Sequence, residues 1–318
     1  MIEKPDVLLN AAFGRGRKAA AEYPVQKTKF YTLKGKEIAK IDVAGDYLIK
    51  VFEKTVTRFP SIETLDPFYR ELYECIIDVD EARKSLSSIL SVARIIKKLR
   101  VMSIVSLKEL KYDNDDQKIF KISKSFFGRT SSLIKGLAKS VEKYNKITIK
   151  LRELPHIDAK EECYLFAGLP NVGKSTLMRK ITDSKPKVAA YPFTTQGLNV
   201  GHFVRKHLPV QVIDTPGLLD RPLGERNSIE LKGIAAFQYL KGTILFVVDP
   251  LDDIEKQKNL FLEIKKLFSD KKFIVVINKT DLAKKEQVEL TKTAFEGQEI
   301  ILEGNEMDNL KTLLTSKS

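Results

Sequence analysis

The sequence predicts two folds in series, an all-helical bundle followed by an α/β unit with a mostly parallel sheet and helices on both faces (α + α/β). Two observations predict it. Helical periodicity dominates residues 37–152, and after about Cys163 short β-branched runs (CYLFAGL, LNVGHFV, VQVIDT, TILFVVD, FIVVINK, EIIL) alternate with helical patterns. Leu154-Pro155 separates the two textures and reads as a hinge. A length of 318 residues agrees, since it suits two domains.

Taken in order, residues 10–36 (NAAFGRGRKAAAEYPVQKTKFYTLKGK) are rich in glycine and basic side chains with little periodicity, and residues 1–36 are expected to form a basic arm, poorly ordered or extended. From Glu37 an apolar stripe of Ile38, Ile41, Leu48, Val51, Phe52 and Val56 predicts a helix that stops at Phe59-Pro60. Asp66-Pro67 reads as an N-cap with proline at the first helical position, opening a helix through Leu72 to Ile77. Two long helices are expected next, over about 80–109 and 116–152, with Leu86, Ile89, Ala93 and Ile96 facing inward in the first and Ile119, Phe126, Leu133 and Val141 in the second. The expected divisions are thus the arm (1–36), the bundle (37–155) and the α/β unit (156–318).

Charge is unevenly placed. The net charge is +13, with about +11 in the first 155 residues. Residues 82–108 and 117–141 contain no acidic side chain, while residues 82–150 carry 17 basic against 5 acidic ones. Such a field attracts polyanions, and phosphate contacts give affinity without sequence readout, so the bundle is a candidate RNA-binding surface. A protein-only docking face with solubilising lysines is the alternative. No apolar run reaches the length of a membrane span, and MIEKPDVLLN lacks the features of a signal peptide. Cys75 and Cys163 are far apart, and three histidines are scattered, so neither a disulfide framework nor a zinc site is expected and a reducing cytoplasm fits.

The chemistry is concentrated in the second half. Residues 168–175, GLPNVGKS, fit G-x-x-x-x-G-K-[ST] between a strand and a helical pattern. In that arrangement the main-chain N–H groups around Gly168, Asn171, Val172, Gly173 and Thr176 cradle phosphates, Lys174 reaches the β/γ-phosphates, and Ser175 ligates Mg²⁺. Asp214-Thr-Pro-Gly217 closes the strand VQVIDT, with Asp214 reaching Mg²⁺ through a water and the Gly217 N–H sensing a γ-phosphate. Asn278-Lys279-Thr-Asp281 closes FIVVINK, and Asp281 can accept two hydrogen bonds from a guanine while Lys279 lies over the base. Three such motifs in this order specify GTP and GDP as ligands and Mg²⁺ as cofactor. Between the first two lies Tyr191-Pro-Phe-Thr-Thr-Gln, where Thr194 or Thr195 can complete the Mg²⁺ shell while a γ-phosphate is present.

These stretches (GLPNVGKST, YPFTTQGLNVGH, DTPGLLDRPLGERNSIE and NKTD), together with FYTLKGKEIAK, RFPSIETLDPFYRELYECIIDVDEARKSLSSI and LPHID, resemble the Nog family of nucleolar-type GTP-binding proteins in the Obg-related branch. The resemblance covers nearly the whole chain and looks like a short, archaeal-type member that ends soon after the GTPase domain. It implies a Ras-like P-loop GTPase domain behind a helical domain, a role in large ribosomal subunit assembly, and rRNA and ribosomal proteins as partners. It assigns Mg²⁺ to Ser175 and Thr195, and catalytic roles to Lys174, Thr195 and Gly217.

Two departures bear on turnover. Leu218 stands where Ras-like enzymes carry the glutamine that orients the attacking water, so intrinsic hydrolysis is expected to be slow. Asn171 resembles the asparagine that in related GTPases helps bind an activating K⁺. A guanine-nucleotide-holding module with negligible turnover is the rival reading. The last guanine-contacting loop is not recognisable, and Glu303-Gly304-Asn305 occupies its place.

Overall fold

The computed structural model describes residues 1–111, 116–183, 186–189, 191, 197–304 and 309–316. They form two compact units, one of residues 1–61 and 77–150, the other of residues 62–76 and 151–318.

The first unit is helical from its beginning. Helix α1 (Pro5–Ala21) has proline in its first turn, with Asp6 beside the positive end of the helix dipole. It buries Leu8, Leu9 and Ala12. Helix α2 (Lys29–Arg58) starts eight residues earlier than periodicity indicated, capped by Thr28, whose hydroxyl accepts the Tyr31 N–H at 3.3 Å. The expected basic arm is therefore a helix and the first turns of a second one. Gly16 serves close packing: a Cβ there would lie 2.6 Å from the Lys40 carbonyl of α2. What reads as low periodicity is a narrow contact face of Leu8, Leu9, Ala12 and Gly16.

Helix α3 (Pro67–Ile76) opens as expected, with the Asp66 carboxylate accepting the Phe68 N–H at 3.0 Å. It belongs, however, to the second unit. The first unit resumes with α4 (Val79–Glu109), capped by Asp78 through the Glu81 N–H at 2.9 Å. The single helix expected over 116–152 is broken into α5 (Asp116–Gly136) and α6 (Ala138–Arg152). Gly136 weakens the helix there, and the chain makes a turn at Leu137 whose N–H bonds the Ile134 carbonyl at 3.1 Å. Helix α2 packs against α1, α4 and α5. One core cluster gathers Leu8, Leu48, Phe52, Ile89, Ile96, Val141 and Tyr144, and a second gathers Phe30, Ile41, Leu107, Ile119 and Phe126.

The second unit is built on a seven-stranded sheet. In chain order it contains β1 (Cys163–Ala167), α7 (Lys174–Ile181), β2 (Lys187–Ala189), β3 (Leu198–Arg205), β4 (Leu208–Asp214), α8 (Ser228–Ala236), β5 (Gly242–Val248), α9 (Ile254–Leu267), β6 (Lys272–Ile277), α10 (Lys285–Ala294), β7 (Glu299–Leu302) and α11 (Asn309–Ser316). The sheet order is β2-β3-β4-β1-β5-β6-β7. β4, β1, β5, β6 and β7 are parallel, while β3 is antiparallel to β4 and to β2. The six predicted runs are six of these strands, and only the three-residue β2 went unforeseen.

Strand alternation separates two cores. Cys163, Leu165 and Ala167 of β1 enter one layer with Ile213, Ile244 and Phe246; Tyr164 and Phe166 enter the other with Leu177, Met178, Val212 and Val247. The first layer also receives α3 through the fully buried Phe68 and Leu72, with Phe68 against Phe237 at 5.8 Å. Tyr69 of α3 ties down the expected hinge. Its hydroxyl lies 3.0 and 2.9 Å from the carbonyls of Pro155 and Ile157 and accepts the Ile157 N–H at 2.8 Å. The expected division at residue 155 thus places α3 on the wrong side. The helical pattern of 67–77 fixes an apolar face but not which core receives it.

Tyr191 is a second anchor in this layer. Its ring stacks on Phe237 at 5.4 Å and its hydroxyl donates to the Gly233 carbonyl of α8 at 2.7 Å. Complete burial pushes the phenol far above its ordinary value of 10.0. The folded state therefore holds the proton that the unfolded chain loses above pH 10, and this contribution to stability fades as pH rises beyond that point. Tyr191→Phe is expected to lower stability by about 1–3 kcal/mol at neutral pH, because the Gly233 carbonyl loses its donor, and to flatten the alkaline decline. Urea unfolding of both proteins at pH 7 and pH 11 measures this; identical pH profiles would contradict it.

Candidate functional site

Five parallel strands end at one edge, and the loops leaving that edge carry the predicted motifs. The chain leaves β1 into Gly168, and three residues of the following loop have positive φ: Gly168 (131°), Asn171 (65°) and Gly173 (100°). At Gly173 only glycine fits, since a Cβ would sit 2.3 Å from Asn278 Nδ2. That amide donates to the Val172 carbonyl at 2.9 Å, so the asparagine of NKTD braces the phosphate loop. Val172 is fully buried beneath it.

Lys174 is the first residue of α7 and is buried, with Nζ 2.8 Å from the Gly168 carbonyl and 2.7 Å from the Leu169 carbonyl. Burial pulls its pKa below the usual lysine value, and the nearby Asp220 and Asp214 carboxylates oppose that shift. Ser175 Oγ donates to Asp214 Oδ2 at 2.5 Å, and Asn199 Nδ2 donates to the same oxygen at 3.1 Å. The other oxygen, Asp214 Oδ1, is buried and has no partner among the described residues. A hydroxyl beside a buried carboxylate with one oxygen unused is a hard-oxygen donor set, which fits Mg²⁺.

Gly217 follows with φ of 77°. Its N–H donates to Asp220 Oδ2 at 2.7 Å, and its carbonyl accepts from Arg226 Nη1 at 2.7 Å. A cavity of about 500 Å³ brings together Asn171, Gly173, Lys174, Ser175, Thr176, Asp214, Gly217 and Asp220. Thus two of the three motifs share one cavity. Leu218, at the glutamine position, is fully buried in the core next to Leu219, so no side chain at 218 reaches the cavity. Thr194 and Thr195 lie outside the described residues, as does Asn305.

The third motif stands alongside. Lys279, with φ of 56°, reaches back so that its Nζ donates to the Asn171 carbonyl at 2.9 Å and to Asp249 Oδ2 at 2.6 Å. Asp249 follows β5 and is held by Gln257, which accepts its N–H at 2.8 Å and donates to its carbonyl at 2.9 Å. Asp281 is exposed beside this arrangement. Thr280 binds the Glu303 carbonyl through both its N–H, at 3.1 Å, and its hydroxyl, at 2.9 Å. A Cβ at Gly304 would lie 3.2 Å from Asp281 Oδ1. Glu303 and Gly304, which follow β7, therefore abut NKTD.

Asn199, Asp220, Asp249 and Gln257 were not found by motif. Asp249 does show a usable signal, since it directly follows the buried strand β5 much as Asp214 closes β4. Asn199 is set by register, standing opposite Asp214 across the antiparallel β3–β4 ladder, and Asp220 by a loop path, and no short pattern encodes either. Among the described residues no group of three His, Cys, Asp or Glu side chains forms a metal cluster, and no helix is long and apolar enough to cross a membrane.

Comparison with known proteins agrees with both halves. The model for the NOG1 N-terminal helical domain matches residues 1–158, and that for a 50S ribosome-binding GTPase matches residues 164–279. Uncharacterized protein MJ1408 of Methanocaldococcus jannaschii is 36% identical over 90% of this chain and 81% of its own length. Nucleolar GTP-binding protein 1 of Saccharomyces cerevisiae is 34% identical over 79% of this chain, and that of Arabidopsis thaliana 35% identical over 73%. The chain spans 39% and 35% of the length of those two relatives. With a helical domain of the NOG1 type followed by a P-loop GTPase domain that carries all three guanine-nucleotide motifs at one sheet edge, the chain belongs to the nucleolar GTP-binding protein 1 family of GTPases.

Proposed function

We propose that this chain is a GTP-driven switch in assembly of the large ribosomal subunit, with the basic helical unit docking on rRNA and the nucleotide state setting its release. The observation that carries the reading is the occurrence, in one chain, of a phosphate loop, a DTPG strand end and an NKTD strand end at one sheet edge and of a helical unit whose helices α4 and α5 expose many basic and few acidic side chains.

Exposed Arg94, Lys97 and Lys98 lie on α4, and exposed Lys121, Lys124, Arg129 and Lys135 on α5. Apolar side chains interleave with them: Ile95, Val101, Met102 and Phe120 are each more than 40% exposed. Basic groups supply phosphate affinity, and the exposed Phe120 ring offers a face on which an unpaired base can stack.

In the GTPase unit, phosphate binding redirects Lys174 Nζ from the Gly168 and Leu169 carbonyls to the β- and γ-phosphates. The main-chain N–H groups of 171–176 hold the β-phosphate at the start of α7. Ser175 and Thr195 would hold Mg²⁺, with Asp214 acting through a water, and the ion would neutralise charge building on the phosphates. Lys279 lies over the base and Asp281 reads it. Water attack then gives GDP, phosphate and a proton. Because Leu218 is buried, position 218 supplies no glutamine-like side chain to orient that water, and turnover without a partner is slow. Asn171, exposed at the cavity, is the proposed K⁺ contact; single-turnover hydrolysis is expected to be faster in KCl than in NaCl, and equal rates contradict that part.

Binding of the full chain to a large-subunit rRNA fragment, titrated with salt, tests the docking. Phosphate contacts give a log–log slope of about −0.9 per neutralised phosphate on duplex RNA or DNA of similar charge density. The expected result is a slope of several units that differs between GDP and a non-hydrolysable GTP analogue. Absence of RNA binding would leave a protein-only docking face.

A further inference from the structure

Asp220 belongs to no motif, yet its side chain enters the phosphate cavity. Its Oδ2 accepts the N–H of Gly217, the main-chain donor through which a DTPG loop meets a terminal phosphate. Its Oδ1 lies 3.5 Å from Arg226 Nη2. The Arg226 side chain is completely buried, and only Nη1 is satisfied, by the Gly217 carbonyl at 2.7 Å. Nε and Nη2 have no hydrogen-bond partner among the described residues. Buried guanidinium N–H groups without acceptors are unfavourable, and the nearest carboxylate is the one now engaged with Gly217.

We propose that Asp220 is a nucleotide-state latch: its carboxylate holds the Gly217 N–H that the γ-phosphate requires, and an arriving γ-phosphate displaces it onto the Nε and Nη2 edge of Arg226. One N–H cannot serve two anions, and two negative groups beside the same donor repel. GDP presents no γ-phosphate, so the carboxylate stays. GTP presents one, and the carboxylate gives up Gly217 and tightens its 3.5 Å ion pair with Arg226, whose Nε and Nη2 are without hydrogen bonds among the described residues, into a paired geometry. Because Arg226 also grips the Gly217 carbonyl, this exchange is coupled to the segment from 218 to 226 that leads into α8. The consequence is a built-in bias toward GDP that exchange onto Arg226 offsets. The inference rests on the guanine-nucleotide reading of this cavity.

The test uses the full chain with Mg²⁺ and titration calorimetry with GDP and the non-hydrolysable GTP analogue GMPPNP. Asp220→Ala is expected to tighten GMPPNP by roughly tenfold while GDP changes by no more than about twofold, with Asp220→Asn in the same direction and smaller. Arg226→Lys, which keeps the charge but loses the paired geometry, is expected to weaken GMPPNP relative to GDP. An unchanged GMPPNP-to-GDP ratio in both Asp220 variants overturns the latch. So does equal tightening of both nucleotides, which is the effect of removing one negative charge anywhere nearby, and so does loss of both nucleotides in the variants. A wild-type chain that binds neither nucleotide overturns instead the guanine-nucleotide reading itself.

Discussion

Lys174→Ala is expected to weaken GTP and GDP binding by at least about a hundredfold, while the GTPase unit stays folded. The side chain is a buried ammonium between two carbonyls of the phosphate loop. Burying it is unfavourable, as its lowered pKa records, and two neighbouring carboxylates only partly compensate. Such a group adds little to folding. Its role is served when phosphate oxygens replace the Gly168 and Leu169 carbonyls, because hydrogen bonds to charged partners contribute about 1.5–3 kcal/mol each. Removing it deletes at least one such bond and leaves phosphate charge without its cation. Calorimetric titration checks the affinity, and urea unfolding checks the fold. Tight GTP binding in the variant would contradict the assignment of this loop.

Asp281→Asn is expected to change which base is accepted. The carboxylate accepts two hydrogen bonds from guanine N1–H and the 2-amino group, and an asparagine amide places a donor where one of those acceptors stood. Each mismatched bond costs about 1–3 kcal/mol, so GTP affinity is expected to fall about tenfold to several hundredfold. Xanthosine triphosphate, with a carbonyl in place of the 2-amino group, is expected to gain. Asp281 is exposed and Thr280 holds the motif to the Glu303 carbonyl, so the substitution leaves the loop intact. Competition of GTP and xanthosine triphosphate for the two proteins measures the switch; an unchanged preference would exclude Asp281 as the base reader.

How much of this was legible in the sequence follows from how local each determinant is. The phosphate loop, DTPG and NKTD are runs of four to eight residues whose chemistry needs adjacent main-chain groups, so spacing alone places them. The parallel strands were legible because burial on both faces demands continuous β-branched runs such as FIVVI. The misreadings concern tertiary packing. Residues 5–21 looked unstructured because Gly16 lowers helix propensity, yet that glycine lets α1 approach α2. Helix α3 was assigned to the bundle by sequence position, whereas Phe68, Leu72 and Tyr69 place it with the GTPase core. Asp220 and Arg226 were invisible as partners because their relation depends on the path of the chain between Gly217 and α8.

The most direct measurement is calorimetric titration of the intact chain, in Mg²⁺, with GDP, GMPPNP and ATP. Saturable binding of both guanine nucleotides at one site per chain, with ATP giving none at the same concentrations, is the expected result. No heat with either guanine nucleotide, or ATP bound as well as GMPPNP, would contradict the claim that this sheet edge grips a guanosine phosphate.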